Sequence, residues 1–100
     1  MGILFWLAVL LLGGGSLVWL IEEVIELVSL TIQAIKNALN SRRTELKDST
    51  IAIVQKIVEQ DDGATVLDLE LLNQQGNSNG HIAMRGRYSY VSTGNRISIG

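Results

Sequence analysis

The first part of the chain is apolar over a long stretch. Residues 3–21 carry no charged side chain, and Ser16 is their one polar side chain. A helix over these 19 residues rises about 28 Å at 1.5 Å per residue, close to the ~30 Å hydrocarbon core of a bilayer. The pattern predicts a transmembrane helix over residues 1–21, with Trp6 and Trp19 near the two interfaces.

Three consecutive glycines interrupt this stretch, at Gly13, Gly14 and Gly15. Small residues let helices in lipid approach each other closely, so the run is a candidate helix-packing notch, with a tolerated kink as the alternative. A cleaved secretory signal is a second explanation of the apolar run, although no basic residue precedes it. A hydrophobic helix buried in a soluble oligomer is the third.

Residues 22–43 continue without proline as an amphipathic helix and a turn. Polar side chains recur every three or four positions through residue 40, which predicts one narrow polar stripe. The apolar remainder is too wide to face water, so partner subunits, membrane lipids or the rest of the chain should cover it. The candidate partner-binding residues are Val24, Leu27, Val28, Ile32, Ile35 and Leu39.

Residues 44–100 read as a small αβββ domain. Helical spacing runs to about residue 60, and alternation then predicts three antiparallel strands in a meander. The hairpin registers pair Leu71 with Ile82 and Tyr90 with Ile99, which places the apolar side chains on one face. The predicted fold class is therefore α+β: a transmembrane helix, an amphipathic helix, a small helix and a three-stranded meander.

The amino-acid composition limits the kinds of functional site that the chain can form. The chain has no cysteine and one histidine, which excludes disulfides, cysteine-based metal centres and a two-histidine site within one chain. Eight basic against ten acidic residues, a net charge of −2, argue against binding nucleic acid through bulk positive charge. His81 is expected to be solvated without an orienting partner. We therefore expect no catalytic residues, metal, cofactor or small-molecule substrate.

One cluster of charge remains as a candidate site. Arg85, Arg87 and Arg96 could form a small anion or lipid-headgroup patch on the outer face of the meander. The alternative is a solvated face on which Asp68 and Glu70 pair with these arginines across the strands.

These features favour a non-enzymatic, single-pass membrane protein that acts as an accessory or scaffolding subunit. Its partners would be lipids and other membrane-protein subunits or further copies of itself. The basic residues follow the apolar run, so the positive-inside rule favours a cytoplasmic domain. The layout is also similar to type IV pilin-like proteins, which implies a filament subunit. An oligomeric, holin-like pore lined by residues 22–33 is the third hypothesis.

Overall fold

A computed structural model describes residues 3–13 and 17–100, and a mixed sheet of five strands organises them. The elements in chain order are α1 (Ile3–Leu11), β1 (Trp19–Glu26), β2 (Ser29–Leu30), α2 (Ile32–Asn40), a 3-10 turn (Arg43–Glu45), β3 (Ile51–Glu59), β4 (Thr65–Leu72), β5 (Ser78–Gly86), β6 (Tyr88–Ser89) and β7 (Arg96–Ser98). The sheet order is β1-β5-β4-β3-β7, with β1 parallel to β5 and the other pairs antiparallel.

One face of the sheet carries the main core. Alternation along β4 directs Leu67, Leu69 and Leu71 to this face, where all three are fully buried. Helix α2 covers them with its fully buried Ile35 and Leu39. The Thr31 hydroxyl accepts a hydrogen bond from the Ala34 N–H and so caps the start of α2.

Helix α1 packs on the opposite face of the sheet. Its Ala8 and Leu12 lie against Val66 of β4 and Ala83 of β5 in a second, smaller core cluster. The Phe5 ring meets the ring of Trp19 edge-on, with 5.8 Å between their centroids. The sheet is therefore covered on both faces, by α2 on one and by α1 on the other.

The predicted transmembrane helix is wrong. Within residues 3–21, Ile3–Leu11 form the nine-residue α1 and residues 19–21 begin β1. Gly13 stops the helix, because its φ of +66° is left-handed, a conformation that glycine adopts without steric cost. In the part of the chain that the structure describes, no helix has the length and apolarity needed to cross a bilayer. The predicted single-pass membrane location is therefore contradicted as well.

The two other helix predictions are also wrong in large part. Of the predicted amphipathic helix over residues 22–43, Ile32–Asn40 is helical, whereas the residues before it form β1 and β2. The helix predicted over residues 45–60 is replaced by the end of the 3-10 turn and by β3. β3 contains five β-branched residues, which pack well on a pleated surface.

The three-stranded meander is wrong in its register and in its last strand. β4 and β5 form an antiparallel hairpin, but Ile82 lies opposite Leu69, two residues away from the predicted partner. The turn is tighter than expected, because the Asn73 side chain accepts hydrogen bonds from the N–H groups of Gln75 and Asn77. β7 pairs with β3 instead of returning to the preceding segment, and Tyr88 and Tyr90 are exposed.

A glycine at the end of β5 gives a direct test of this packing. A Cβ atom on Gly86 would lie 2.7 Å from Leu30 Cγ and 3.2 Å from the Leu27 carbonyl oxygen. We expect Gly86→Ala to lower the free energy of unfolding by about 1–3 kcal/mol in urea titrations, since overpacking forces its neighbours to move. Ser78→Ala, at the exposed start of β5, is the control, and equal midpoints for the two variants would contradict the arrangement.

Candidate functional site

Helix α1 is apolar on both of its sides. Its inner side chains, packed on the sheet, recur at helical spacing and are Phe5, Ala8, Val9 and Leu12. Its outward side chains recur at the same spacing and are 43–78% exposed; we call them the outer stripe, and they are Ile3, Trp6, Leu7, Leu10 and Leu11. Residues at i, i+3, i+4 and i+7 form one continuous face of a helix. Each stripe has the pattern of a buried helix face. The sheet covers the inner stripe, whereas the outer stripe is exposed.

The outer stripe is large for an exposed apolar surface. Taking roughly 200 Å² for a fully exposed large apolar side chain, it presents on the order of 600 Å². That is at the upper end of the roughly 300–600 Å² found for the largest apolar patch of a typical monomer. At the C-terminal end of α1, Leu11 borders a hollow of about 330 Å³ together with Glu59, Gln60, Asp61 and Asp62. The outer stripe therefore has an acidic rim at one end.

A polar cleft lies beside the same end of α1. It has a volume of about 290 Å³ and is lined by Gly13, Leu17, Gln55, Lys56, Asp68, Glu70 and His81. The register of β4 with β5 places Glu70 opposite His81 and Asp68 opposite Ala83. β3 supplies Gln55 and Lys56. They lie at a shift in the pairing of β3 with β4, between Val54 and Lys56. Neighbouring strands thus bring four titratable groups together.

His81 is buried and oriented by a carboxylate. Its Nδ1–H donates to Asp68 Oδ1 at 2.8 Å, and its Nε2 lies 3.7 Å from Glu70 Oε2. The hydrogen bond that His81 donates to Asp68 raises the pKa of His81, burial opposes that rise, and the charges of Asp68 and Glu70 add to it. The Trp19 ring lies against the imidazole, with 5.9 Å between centroids. The expectation that His81 is solvated and without a partner is therefore wrong.

The other polar side chains of the cleft are engaged with its walls. Lys56 Nζ donates to the Leu12 carbonyl oxygen at 2.8 Å, where a cation interacts favourably with the C-terminal end of α1. Gln55 Nε2 donates to Glu70 Oε1 at 2.9 Å.

The described lining of the cleft lacks a nucleophile for catalysis. It includes His81, which could act as a base, and Asp68, which orients it, but no serine, threonine or cysteine. The described residues also contain no group of three or more side chains suited to hold a metal ion.

The six predicted partner-binding residues do not share one surface. Ile35 and Leu39 are fully buried under the sheet, whereas Val28 and Ile32 are exposed. Val24 and Leu27 are half-buried and pack against the smaller and the main core cluster, respectively. Of the predicted helix-packing glycines, Gly13 ends α1, and Gly14 and Gly15 lie outside the described residues.

The three arginines of the predicted anion patch are also separated. Arg85 forms ion pairs with Glu26 and Asp62, and its Nε donates to Gln60 Oε1. A hydrogen bond from the Ala64 N–H, together with the positive charge of Arg85, lowers the pKa of Asp62. Arg87 is exposed just after β5, and the exposed Arg96 lies on β7, with β4 and β3 between that strand and β5. These placements favour pairing over a shared anion site.

The sequence pattern predicts neither of the two features that stand out in the structure. The apolarity of residues 3–11 predicts contact with lipid, and the predicted hairpin register keeps Asp68 and His81 apart, whereas the observed register brings them together. No protein-family model, curated protein or solved structure matches the chain.

Proposed function

We propose that the protein acts by binding another protein chain through the outer stripe of α1. The observation that supports this is the pair of apolar stripes on opposite sides of one short helix. A helix that is hydrophobic all round is normally buried all round. The sheet covers the inner stripe, and a partner would cover the outer one.

The polar cleft gives less support to catalysis. His81 is held between Asp68 and Glu70, and Lys56 is engaged with the end of α1. These contacts satisfy the charges of the cleft among themselves and tie Leu12, directly after α1, to β3 of the sheet. The role we propose is therefore that of a non-enzymatic accessory or scaffolding subunit.

Site-specific photocrosslinking in cells tests this role. A benzoylphenylalanine residue replaces Leu10 in the outer stripe, or Val28, which is equally exposed but lies outside α1. We expect a protein adduct of discrete mass at Leu10 and none at Val28. No protein adduct at Leu10, or an adduct with lipid alone, would contradict the proposal.

A further inference from the structure

We infer that the occupant of the outer stripe is the outer stripe of a second copy of this chain, with the two α1 helices antiparallel. This inference rests on the proposed function, because it names the partner for the same surface.

The area of the stripe matches what a symmetric dimer needs. Two outer stripes in contact would bury on the order of 1,200 Å² in total, the lower limit for specific and stable protein interfaces. In a two-fold dimer the same patch is used by both copies, so a patch of this size needs no second surface. Trp6, 54% exposed near the middle of the stripe, is the type of residue that contributes most at such interfaces.

The side chains of the stripe are suited to pack on copies of themselves. Ile3, Leu7 and Leu10 follow the spacing of a helix–helix seam. α1 contains no charged residue, so pairing two copies places no like charges against each other along the seam. A two-fold axis near Leu7 would bring Ile3 of one copy opposite Leu10 and Leu11 of the other.

The rim of the stripe favours the antiparallel orientation. Glu59 and Asp61 lie beside Leu11 at the C-terminal end of α1, while Asp62 is already paired with Arg85. In an antiparallel pair these carboxylates approach the first-turn amides of the other α1, the positive end of its helix dipole. A parallel pair would instead place the two acidic rims side by side, and juxtaposed like charges oppose association.

The mass of the full chain in solution is the first test. Light scattering after gel filtration, over a range of concentrations, should show a species of twice 10.9 kDa for the unmodified protein. Leu10→Glu should raise the dimer dissociation constant at least tenfold, because it buries a charge in the seam. Val28→Glu adds the same charge at an equally exposed site outside α1 and should leave the dimer intact. Circular dichroism verifies that both variants are folded.

The orientation is tested by disulfide formation, which is clean here because the chain has no cysteine. Under mild oxidation, Leu7→Cys next to the axis should link two copies, whereas Ile3→Cys should not link to itself. A mixture of Ile3→Cys and Leu10→Cys chains should form the mixed disulfide. Efficient linking of Ile3→Cys to itself would indicate parallel helices and overturn the inference.

The outcomes also separate this inference from the proposed function. A monomer at all concentrations, combined with a Leu10 photoadduct to a different protein, overturns self-pairing and leaves the binding role intact. A monomer with no protein adduct at Leu10 overturns both.

Discussion

Replacing Leu12 by alanine should lower the free energy of unfolding by about 2–5 kcal/mol, the range for truncating a fully buried leucine. Leu12 is 0% exposed and packs with Ala8, Val66 and Ala83 between α1 and the sheet. The surrounding helix and strands cannot close the resulting cavity completely. For a chain of 100 residues, the loss corresponds to a decrease in Tm of at least about 8 °C.

Leu10→Ala is the matched control, because it makes the same chemical change two residues earlier on the other side of α1. Leu10 is 75% exposed, so its truncation should change the free energy of unfolding by less than about 0.5 kcal/mol in dilute solution, where any dimer is dissociated. Thermal and urea unfolding of both variants provide the comparison. Equal effects at the two positions would contradict the packing of α1 on the sheet, since a helix surrounded by lipid makes no such distinction between its two sides.

The prediction of a transmembrane helix failed because high hydropathy indicates that a segment is removed from water, but not whether lipid or protein surrounds it. The inner side of α1 packs on the sheet as a covering helix, and residues 19–21 lie within the same sheet at the start of β1. A run of apolar residues is typical of either environment. Gly13 is the local signal for a break, and its left-handed backbone is seen only in the structure.

The prediction for β3 failed through an ambiguity of periodicity. Ile53, Val54, Ile57 and Val58 fit the three-and-four spacing of a helix, and they also fit a strand with a bulge and apolar residues on both faces. β-branched residues favour the strand, and packing of the sheet between α1 and α2 decides the outcome. Segment 65–72 alternates strictly and is a strand in the structure.

The two candidate sites differ in how much the sequence could show. Alternation alone places Asp68 and His81 on the same face of the hairpin, but their contact depends on a register set by the Asn73 turn. An asparagine whose side chain bonds to its own turn is a signal that the sequence carries, and it predicts a shorter loop between β4 and β5. The outer stripe is visible as sequence, whereas its exposure follows from the tertiary position of α1.

Replacing Asp68 by asparagine should make the stability of the protein less dependent on pH. The Asp68 carboxylate is 2% exposed and accepts the hydrogen bond from His81 Nδ1. A hydrogen bond involving a charged group contributes about 1.5–3 kcal/mol, compared with about 0.5–1.5 kcal/mol for a neutral one. Asparagine preserves the shape and a carbonyl acceptor but removes the charge. The unmodified protein should therefore be the more stable by about 1–1.5 kcal/mol at acidic pH, the gap between these two ranges.

The sign of the pH dependence follows from the direction of the His81 shift. Its pKa is raised above the ordinary value of 6.5, so the folded state binds the proton more tightly than the unfolded chain. This contribution is fully present below about pH 6.5 and is lost as the pH rises through the raised pKa of His81. Urea titrations between about pH 5.5 and 8.5 should show the difference between the two proteins shrinking as the pH rises.

His81→Gln separates this linkage from the other charges that face His81, since Glu70 and Lys56 remain in the cleft of that variant. In the His81→Gln background, Asp68→Asn should give a difference in stability that is constant over the same pH range. In the chain that retains His81, the difference in stability between the unmodified protein and Asp68→Asn could instead stay constant with pH. That result would mean that the folded protein does not stabilise the imidazolium. A difference that grows with pH would mean that burial of the ring outweighs the pull of Asp68 and Glu70.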